Sequence, residues 1–545
     1  MNSNASRFAT LMGSASILSL TTALSAQAQQ MAAAAPATVP EQVLVTGSLI
    51  HGAAAVGVPV TNLGVQDFAE TGYATIGELF QTVPAANVTL PQATISGGQQ
   101  ERLNRVNIRG LDSTGPRSLL MVDGIRFPPQ ADGLCAIDPS IIPSLALDRV
   151  DILADGASAT YGSDAVAGVI NVVLKRGFDG ATTLLHIQQP TDGGGFQAQE
   201  SQLWGRTWDG GDVTLTYEHD DILPIRGNVH SKFTMNFTPW GLDNPTPLGA
   251  SIPATISNGK PAASTGTICS NCYAVPKGAG SNFNASVNNG LGPTAAGSAP
   301  TFSFSSLVAG TTNEVPNALA LGYEDAAQQK NQLVGTFDQR LFPGVSLFFT
   351  GFYSNRRIEN LDPPFYGNGV ANALRPVTVP TNNPYYPSNV PAGAFGKLQV
   401  SYDFPFEVPT FNDAYEISAR YSFGLNLDLP FGWTGQIYDS RSYETDQYYL
   451  QLVNQNYVKA ALGNNKPSSI PFLNVFCDPT AFKCNSPTTL NYIRAFRHLG
   501  DVYQLEEKGG RFDGPLFDLP GGQIKAAIGG TYESDNVLGI QANAG

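Results

Sequence analysis

The sequence predicts a small α+β domain followed by a transmembrane antiparallel β-barrel, of which about nine strands can be counted. Residues 59–180 mix a short helical pattern with extended segments around a hairpin turn. From residue 181 to residue 545, segments alternate apolar and polar side chains, which is the period-two pattern of strands with two different faces. Charged residues make up only 14% of the 545, aromatic residues make up 10%, and glycine and proline number 57 and 38. This composition is typical of a β-rich protein with many turns.

The same composition excludes several classes of protein. A disordered chain has a high charge and few aromatic residues, so most of this chain is expected to be ordered. The 30 lysine and arginine residues against 44 aspartate and glutamate residues give a net charge of −14. This acidic balance argues against nucleic acid as a partner bound through a broad basic surface.

Residues 1–28 are predicted to be a secretory signal peptide. Arg7 and the α-amino group supply a weak positive charge, an apolar stretch covers residues 8–24, and residues 26–28 read AQA, a signal-peptidase pattern. A transmembrane anchor is the alternative, but serine and threonine interrupt the stretch. No other segment approaches the roughly 18 continuous apolar residues of a spanning helix, so the mature chain is expected to be exported.

The five cysteines fit an exported chain. Cys269 and Cys272 form one close pair and Cys477 and Cys484 another, and each pair is a candidate disulfide in an oxidising compartment. This pairing assigns no partner to Cys135. A zinc site is the rival interpretation, but no histidine lies near either pair, so no metal site is expected.

Residues 29–58 are predicted to be a flexible segment that contains one short β-prone stretch. This stretch consists of Glu41, Gln42, Val43, Leu44, Val45, Thr46 and Gly47. A flexible tether before an extended segment suits β-augmentation, in which a partner adds the strand to the edge of its own sheet. An ordinary first strand is the other interpretation, and this segment alone does not decide between them.

Residues 59–180 are predicted to fold as one compact α+β unit. A short helix is expected over residues 75–84, because apolar residues recur there at helical spacing and Pro84 ends the pattern. Asp123 and Gly124 between two apolar runs are a strong hairpin signal. The other extended segments are expected at 59–65, 106–110, 148–153 and 166–174.

Three motifs stand close together in this unit. Residues 107–110 read NIRG, residues 119–124 read LLMVDG, and residues 149–171 read RVDILADGASATYGSDAVAGVIN. In kind and order they closely resemble the plug domain of TonB-dependent outer-membrane receptors. The motif positions singled out are Asn107, Arg109, Gly110, Asp123, Gly124, Asp155, Gly156, Tyr161, Gly162, Asp164, Gly168 and Asn171.

The resemblance implies a domain that occludes a pore. Segment 41–47 lies where the family keeps its TonB box, which favours a partner-binding strand over a core strand. The implied partner is TonB with its inner-membrane energising complex, and no separate signalling domain is expected before the box. The glycines of the motifs are most simply turn formers, and Arg109 is interpreted as a structural ion-pair partner rather than a ligand contact.

Residues 181–545 are predicted to be part of a barrel in outer-membrane lipid. Tight turns are expected at 208–211, 342–344, 430–432 and 520–522, and long polar stretches at 221–330, 357–413 and 445–508. Short turns on one side and long loops on the other are typical of an outer-membrane barrel with extracellular loops, and both cysteine pairs fall in these loops. A soluble β-sandwich or adhesin is the alternative, which the preceding plug motifs disfavour.

Several aromatic and amide residues are candidates for facing a small nutrient ligand. They are Gln99, Gln100 and Gln130, in plug loops at 92–100 and 128–134, and Phe365, Tyr366, Tyr385 and Tyr386 in the long barrel loops. Such residues hold a ligand by stacking and amide hydrogen bonds. They are equally typical of solvated turns rich in proline and asparagine, and both interpretations stay open.

The number of strands is smaller than the resemblance implies. Plugged transporters have about 22 strands, and an odd number does not close the usual bacterial single-chain barrel. We therefore interpret the sequence as a receptor truncated near mid-barrel, either a fragment or a damaged reading frame.

No catalytic constellation stands out. The five histidines are scattered, and HExxH, Walker and GxSxG patterns are missing, so neither an enzyme nor a cofactor is expected. The function that the resemblance implies is TonB-dependent import of a scarce nutrient across the bacterial outer membrane, with a ferric siderophore as the family default. Cobalamin, oligosaccharides and peptides remain open as ligands. The alternatives are a passive β-barrel pore, a surface-binding protein and a non-functional remnant.

Overall fold

The structure is a computed structural model of the 545-residue chain. The described residues all belong to one compact unit that spans residues 44–545. They are 60–64, 75–89, 105–111, 117–129, 138–234, 237–241, 251–257, 272–294, 303–310, 317–361, 373–392, 397–404, 406–520 and 522–544, together with 50, 67, 70–72 and 313. The predicted signal peptide and segment 41–47 lie outside the described residues.

The N-terminal part is built on a five-stranded sheet. Its strands are β1 (Val60–Gly64), β4 (Ser118–Val122), β5 (Ile125–Arg126), β6 (Leu147–Leu153) and β7 (Gly168–Leu174), in the order β1-β6-β7-β4-β5. Strands β4 and β7 are parallel, and the other neighbours are antiparallel. Two further strands, β2 (Ala86–Thr89) and β3 (Arg105–Ile108), form a separate ribbon.

Two short helices and three 3₁₀ turns complete this part. They are α1 (Ile76–Leu79), α2 (Ser158–Tyr161), and the turns Phe80–Thr82, Pro139–Ile141 and Ser144–Ala146. Helix α1 begins with a capping box, in which the Thr75 hydroxyl accepts the Glu78 N–H at 3.3 Å and the Glu78 carboxylate accepts the Thr75 N–H at 3.3 Å. The predicted helix is therefore confirmed as α1 and the 3₁₀ turn that continues it.

Within the described residues, the C-terminal part is an antiparallel sheet of nine strands. Each strand of this sheet lies beside the strands that precede and follow it in sequence among the nine. They are β8 (Gly180–Gln188), β9 (Gln197–Trp208), β10 (Gly211–Ile222), β16 (Ala327–Phe342), β17 (Val345–Leu361), β20 (Phe411–Leu429), β21 (Trp433–Val453), β22 (Arg494–Leu519) and β23 (Gly522–Ala544). The sheet is open, because β8 and β23 each have one neighbour in it. The predicted fold class and the count of about nine strands are confirmed for the part of the chain that the structure describes.

Four tight turns join strands of this sheet at one end. They follow β9, β16, β20 and β22 and lie at the four predicted places, the third of them with a 3₁₀ turn at Pro430–Gly432. The long connections that follow β10, β17 and β21 therefore all lie at the opposite end. Among the described residues, no helix is long and apolar enough to cross a membrane.

The two faces of the large sheet differ in chemistry. One face exposes large apolar and aromatic side chains, among them Leu215, Tyr217, Phe349, Tyr353, Tyr421, Phe423, Ile437 and Tyr443. The other face is buried and carries polar groups, among them Thr214, Thr216, Glu218, Thr350, Ser354, Arg356, Ser418 and Ser422. An apolar outside and a polar inside are what a strand between lipid and a plugged lumen requires.

The hydrophobic core of the N-terminal part continues onto the buried face of the large sheet. Ile76, Phe80 and Ile170 belong to one cluster of buried residues, which also includes Val334 of β16 and Phe352 of β17. The ring of Phe127 packs edge-on against Phe352, with ring centroids 5.0 Å apart. The small domain therefore packs against the inner face of the strands.

The long connections fold together into a second compact layer, here called the loop unit. It contains a five-stranded sheet and two helices: β12 (Thr255–Ser257), β13 (Tyr273–Ala274), β14 (Val308–Ala309), β18 (Ala373–Thr378), β19 (Gln399–Asp403), α3 (Gln455–Leu462) and α4 (Pro487–Ile493). Its core includes Ile256, Val400, Tyr402, Phe404 and Leu473, which come from three different connections. A short pair formed by β11 (Ile225–Arg226) and β15 (Tyr323–Asp325) lies between β10 and β16.

The other elements of these connections are 3₁₀ turns at Thr238–Trp240, Val287–Gly290, Phe304–Ser306 and Ala318–Leu321. The predicted boundaries of the long polar stretches are too wide, since β17, β21 and β22 extend several residues into them. The prediction of solvated loops is also incomplete, because hydrophobic residues from distant segments meet in one core. Their positions in sequence give no periodic pattern from which a common core could be recognised.

Candidate functional site: the interface between the small domain and the strands

The Asp123-Gly124 turn is fastened to strand β7 by three hydrogen bonds. Both residues have positive φ values, 53° and 74°, as a two-residue hairpin turn requires. The Asp123 N–H donates to the Val172 carbonyl at 2.9 Å, and the Gly124 N–H donates to Asn171 Oδ1 at 2.9 Å. The Leu174 N–H donates to Asp123 Oδ1 at 3.0 Å. The motif residues Asp123, Gly124 and Asn171 thus form one local structure.

Arg176 connects this turn to the large sheet. Its Nη2 donates to Asp123 Oδ2 at 2.8 Å and to Thr350 Oγ1 at 3.1 Å, and its Nη1 is paired with Asp338 of β16. Burial lowers the pKa of Arg176, but the attraction of Asp123 and Asp338 is stronger, so the pKa is raised. The guanidinium is therefore a permanently charged link between the two parts.

Arg126 of β5 links the motif around α2 to strands β22 and β23. Its Nη1 lies 2.5 Å from Asp164 Oδ2, its Nη2 donates to the Tyr161 carbonyl at 2.6 Å, and its Nε lies 3.0 Å from Glu533 Oε2. Its N–H donates to Glu507 Oε2 at 3.2 Å. Burial lowers the pKa of Arg126, but the attraction of these carboxylates is stronger, so the net shift of the pKa is upward.

A second link is formed by Asp138, at the start of a 3₁₀ turn. Arg356 of β17 places Nη1 2.6 Å from Asp138 Oδ2 and Nη2 2.6 Å from Glu416 Oε2 of β20. The side chains are 1%, 0% and 10% exposed for Arg356, Asp138 and Glu416. A buried guanidinium that holds two carboxylates satisfies charges that would otherwise be costly away from water.

The residues after Asp138 make further polar contacts with the strands. The Ser140 carbonyl accepts from Lys330 Nζ at 2.9 Å and from Gln332 Nε2 at 3.0 Å, both on β16. Glu218 Oε2 of β10 accepts from the Ser144 N–H and hydroxyl, each at 3.2 Å. The sequence analysis missed Asp138 and its partners. The only available signal was a charged residue at an inward position of an alternating strand, as at Lys330 and Arg356.

Two other motif residues have structural partners. Arg109 Nη1 lies 3.4 Å from Asp155 Oδ1, and both side chains are about half exposed, which agrees with the interpretation of Arg109 as an ion-pair partner. Asp155 Oδ1 also accepts the Gly156 N–H at 2.9 Å. A Cβ on Gly168 would lie 2.3 Å from the Leu153 carbonyl oxygen. Gly168 is therefore required where β6 and β7 meet, and it needs no ligand to explain it.

The ligand-facing candidates are only partly described. Gln99, Gln100, Gln130, Phe365 and Tyr366 lie outside the described residues. Tyr385 is only 6% exposed and belongs to the loop-unit core, with Tyr386 packed against that core. Burial raises the pKa of Tyr385 to about 12. The two interpretations that the sequence left open, a ligand-facing residue and a solvated turn, both place the Tyr385 ring at the surface, whereas the ring packs in the loop-unit core.

The loop unit is cross-linked by a disulfide between Cys477 and Cys484, whose Cα atoms are 5.8 Å apart. Cys272 is also disulfide-bonded, while Cys269 and Cys135 lie outside the described residues. Within the part of the chain that the structure describes, no group of three or more histidine, cysteine or carboxylate residues could hold a metal ion.

The fold and this interface define a class of protein: a strand-built outer-membrane protein with a small domain packed on the inner face of its sheet. Residues 53–169 match the family model described as "TonB-dependent Receptor Plug Domain". The chain is 33% identical over 110 residues to the vitamin B12 transporter BtuB of Vibrio cholerae. This match covers 20% of this chain and 16% of the relative. It is 30% identical over 113 residues to the ferric enterobactin receptor PirA of Pseudomonas aeruginosa, covering 19% and 14%.

Among solved structures, the siderophore receptor PirA from Acinetobacter baumannii is similar, with 12% identity and a TM-score of 0.39. The match covers 89% of this chain and 56% of that one. The segment matched in the curated relatives is less than a fifth of their length.

Residues 53–169 therefore belong to the plug domain family of the TonB-dependent receptors. This is a family of receptors and transporters and not of enzymes. We call the N-terminal part the plug and the large sheet the wall from here on.

Proposed function

We propose that the protein imports a scarce nutrient across the outer membrane and that TonB supplies the energy. The observation that carries the proposal is that the plug is held on the inner face of the wall by buried charge pairs, above all Asp138–Arg356–Glu416. A domain held in this way blocks passage until work is done on it. A passive pore has no need of such contacts.

The proposed contact with TonB is segment 41–47, which precedes β1 by about a dozen residues. Among the described residues, strand β1 is at the edge of the plug sheet and its neighbour is β6. A partner that adds segment 41–47 to its own sheet would therefore pull on an edge strand of the plug. The domain organisation proposed is the one expected from sequence, with signal peptide, tether, plug and wall in that order.

The proposed substrate is a ferric siderophore. The support is that two of the relatives are enterobactin receptors, from Pseudomonas aeruginosa and Escherichia coli. Vitamin B12 is the competing substrate, since the B12 transporters match over 110 and 113 residues, as long a match as the enterobactin receptors give. The two classes require separate probes, because the plug match does not distinguish between them.

Uptake assays with two radiolabelled probes test the proposal. The chain is expressed in cells that lack their own receptors for ⁵⁵Fe-enterobactin and ⁵⁷Co-cyanocobalamin, and uptake is compared with that of a variant lacking residues 41–47. A variant lacking residues 31–37, which is a deletion of equal length in the same predicted tether, is the matched control. We expect at least a tenfold loss of siderophore uptake for the first deletion and little change for the second.

The other outcomes identify the alternatives. Uptake that persists without residues 41–47 and in cells lacking TonB supports a passive pore. Binding of a probe to the cells without uptake supports a surface-binding protein. Absence of the chain from outer-membrane fractions supports a remnant, and uptake of cyanocobalamin alone replaces the siderophore as substrate.

A further inference from the structure

The plug contacts the wall on two sides. The two sides differ in how deeply their charged side chains are buried and in whether the plug or the wall supplies the compensating charges. On one side, plug residues 138–146, here called the anchor segment, face strands β9, β10, β16 and β17. On the other side, here called the Arg126 side, β5 and the α2 region face β22 and β23. The two sides are therefore not equivalent when the plug is moved.

At the anchor segment the compensating charge belongs to the wall. Asp138 is buried and its carboxylate is paired with Arg356. The Ser140 carbonyl is held by the buried ammonium of Lys330, and Glu218 holds Ser144 from β10. If this segment left the wall, the Asp138 carboxylate would lose the guanidinium that compensates its charge in a water-poor site.

The hydrophobic contacts reinforce the same side. Phe127 packs edge-on against Phe352 of β17, and the guanidinium of Arg420 on β20 lies over the Phe127 ring, 5.8 Å from its centroid. Val334 of β16 is part of the plug core. The strands that hold the anchor segment thus also share apolar core with the plug.

On the Arg126 side the plug cation has further partners within the plug, whereas Glu533 of β23 is paired with Arg126 across the interface. If the plug left the wall on this side, Arg126 would retain its contacts with Asp164 and the Tyr161 carbonyl, which both belong to the plug. Glu507 would retain its hydrogen bond within the wall, in which the Tyr438 hydroxyl donates to Glu507 Oε1 at 2.7 Å. Two of the acids are more exposed here than Asp138 is, with Asp164 43% and Glu533 29% exposed, while Glu507 is 3% exposed. Separation on this side therefore leaves Glu533, which is partly exposed, without its cation, whereas separation at the anchor leaves the fully buried Asp138 without its cation.

We infer that the anchor segment stays on the wall during transport and that the plug separates first from β21, β22 and β23, so that substrate passes along Tyr438, Glu507 and Glu533. This inference rests on the proposed function. Arg356 and Lys330 are then positioning residues that fix one side of the plug. Neither residue touches the substrate.

Reversible cross-linking tests which side must move. In a Cys135→Ser background, one variant carries Ser144→Cys with Glu218→Cys across the anchor, and a matched variant carries Asp164→Cys with Glu533→Cys across the Arg126 side. A short bis-methanethiosulfonate joins each pair, and a reductant releases it. Uptake of ⁵⁵Fe-enterobactin and of ⁵⁷Co-cyanocobalamin is measured before and after release, with the background chain given the same reductant.

We expect the anchor cross-link to leave at least half of the uptake that the same variant shows after release. We expect the Arg126-side cross-link to lower uptake at least tenfold, with recovery on release. An anchor cross-link that blocks uptake, or an Arg126-side cross-link that does not, overturns the inference. Failure of the uncross-linked background to take up either probe instead contradicts the proposed function.

A second measurement does not depend on transport. Outer-membrane preparations of the full chain are titrated with urea, and hydrogen exchange is followed for peptides covering 139–146 and 158–164. We expect the second peptide to lose protection at a lower urea concentration than the first. Simultaneous loss, or loss at the anchor first, overturns the inference whatever the uptake result.

Discussion

Asp138 of the plug and Arg356 of strand β17 are 218 positions apart in the chain, yet their side chains form a 2.6 Å ion pair away from solvent. Arg356 also bridges to Glu416 on the next strand of the wall. One guanidinium therefore joins the plug to two strands.

Replacing Arg356 should destabilise the plug in the wall severely. Arg356→Met leaves Asp138 and Glu416 without their shared cation, and removal of one partner from a buried pair costs about 3–5 kcal/mol. The urea midpoint for hydrogen exchange of residues 139–146 should fall accordingly. Arg340→Met is the matched control, because its ion pair with Asp209 is largely exposed, and we expect it to change the midpoint little. Equal effects of the two substitutions would contradict the role assigned to the buried pair.

Gly168 should not tolerate a side chain. A Cβ there would lie 2.3 Å from the Leu153 carbonyl oxygen and 2.7 Å from Ile108 Cδ1. We expect Gly168→Ala to destabilise the plug by about 1–3 kcal/mol, since overpacking forces neighbours to move. Gly530→Ala is the control, because nothing lies within 4 Å of its Cβ position. Urea titrations of both variants provide the comparison, and an unchanged midpoint for Gly168→Ala would show that the strands can move apart there.

The loop unit should respond to pH through Glu407. Burial raises the pKa of Glu407, although the Tyr402 hydroxyl donates to Oε2 at 2.5 Å and Asn485 Nδ2 donates to Oε1 at 2.9 Å. A raised pKa means that the folded unit binds the proton more tightly than the unfolded chain does. The stabilisation is therefore complete below the unfolded pKa of glutamate and is lost as pH rises through the folded pKa.

Two variants isolate this effect. Glu407→Gln should remove the loss of stability on raising the pH, as measured by limited proteolysis of the loop unit across the pH range. Asp478 provides a control of opposite sign. Burial alone would raise its pKa, but hydrogen bonds from the Gly278 N–H and from Thr480 outweigh it, so the pKa is lowered. Asp478→Asn should therefore remove a stabilisation that is lost as pH falls. The same pH response in both variants would refute the assignment.

The disulfide between Cys477 and Cys484 should stabilise the loop unit. It closes a short loop with a sequence separation of 7, for which the loss of chain entropy in the unfolded state is worth about 2–3 kcal/mol. In the Cys477→Ser, Cys484→Ser double variant, trypsin should cleave faster after Lys483, which lies inside this loop. Cleavage after Arg206, which lies near the end of β9 and has a 68% exposed side chain, is the internal control and should be unchanged. Equal acceleration at both places would indicate general unfolding instead.

The features that could be predicted from sequence are those formed by residues close together in the chain. The Asp123-Gly124 turn and the four tight turns of the wall are local, and the residues that make them are adjacent in the chain. The outward positions of Leu215 and Phe423 follow from period-two alternation along a single strand. The Asp138–Arg356 pair and the loop-unit core depend on contacts between distant segments, so no local pattern marks them. Tyr385 shows the consequence, because an aromatic residue in a polar stretch is as suited to a core as to a ligand surface.

Charged substitutions on the outward face of the wall should weaken its retention in the membrane. Phe423 on β20 is 45% exposed on the face that carries the large apolar side chains, whereas Asn426 three residues later lies on the opposite face, where its Oδ1 accepts from Gln436 Nε2 at 2.9 Å. A lysine on the lipid face of a membrane strand costs about 2–4 kcal/mol near the bilayer midplane, and an inward position lacks this penalty. We therefore expect Phe423→Lys to lower the fraction of chain that resists urea extraction from outer-membrane fractions, and Asn426→Lys to leave it nearly unchanged. If Asn426→Lys were the more harmful of the two, the faces would be reversed, and the plug contacts of Arg356 and Lys330 would have to be explained without a lumen.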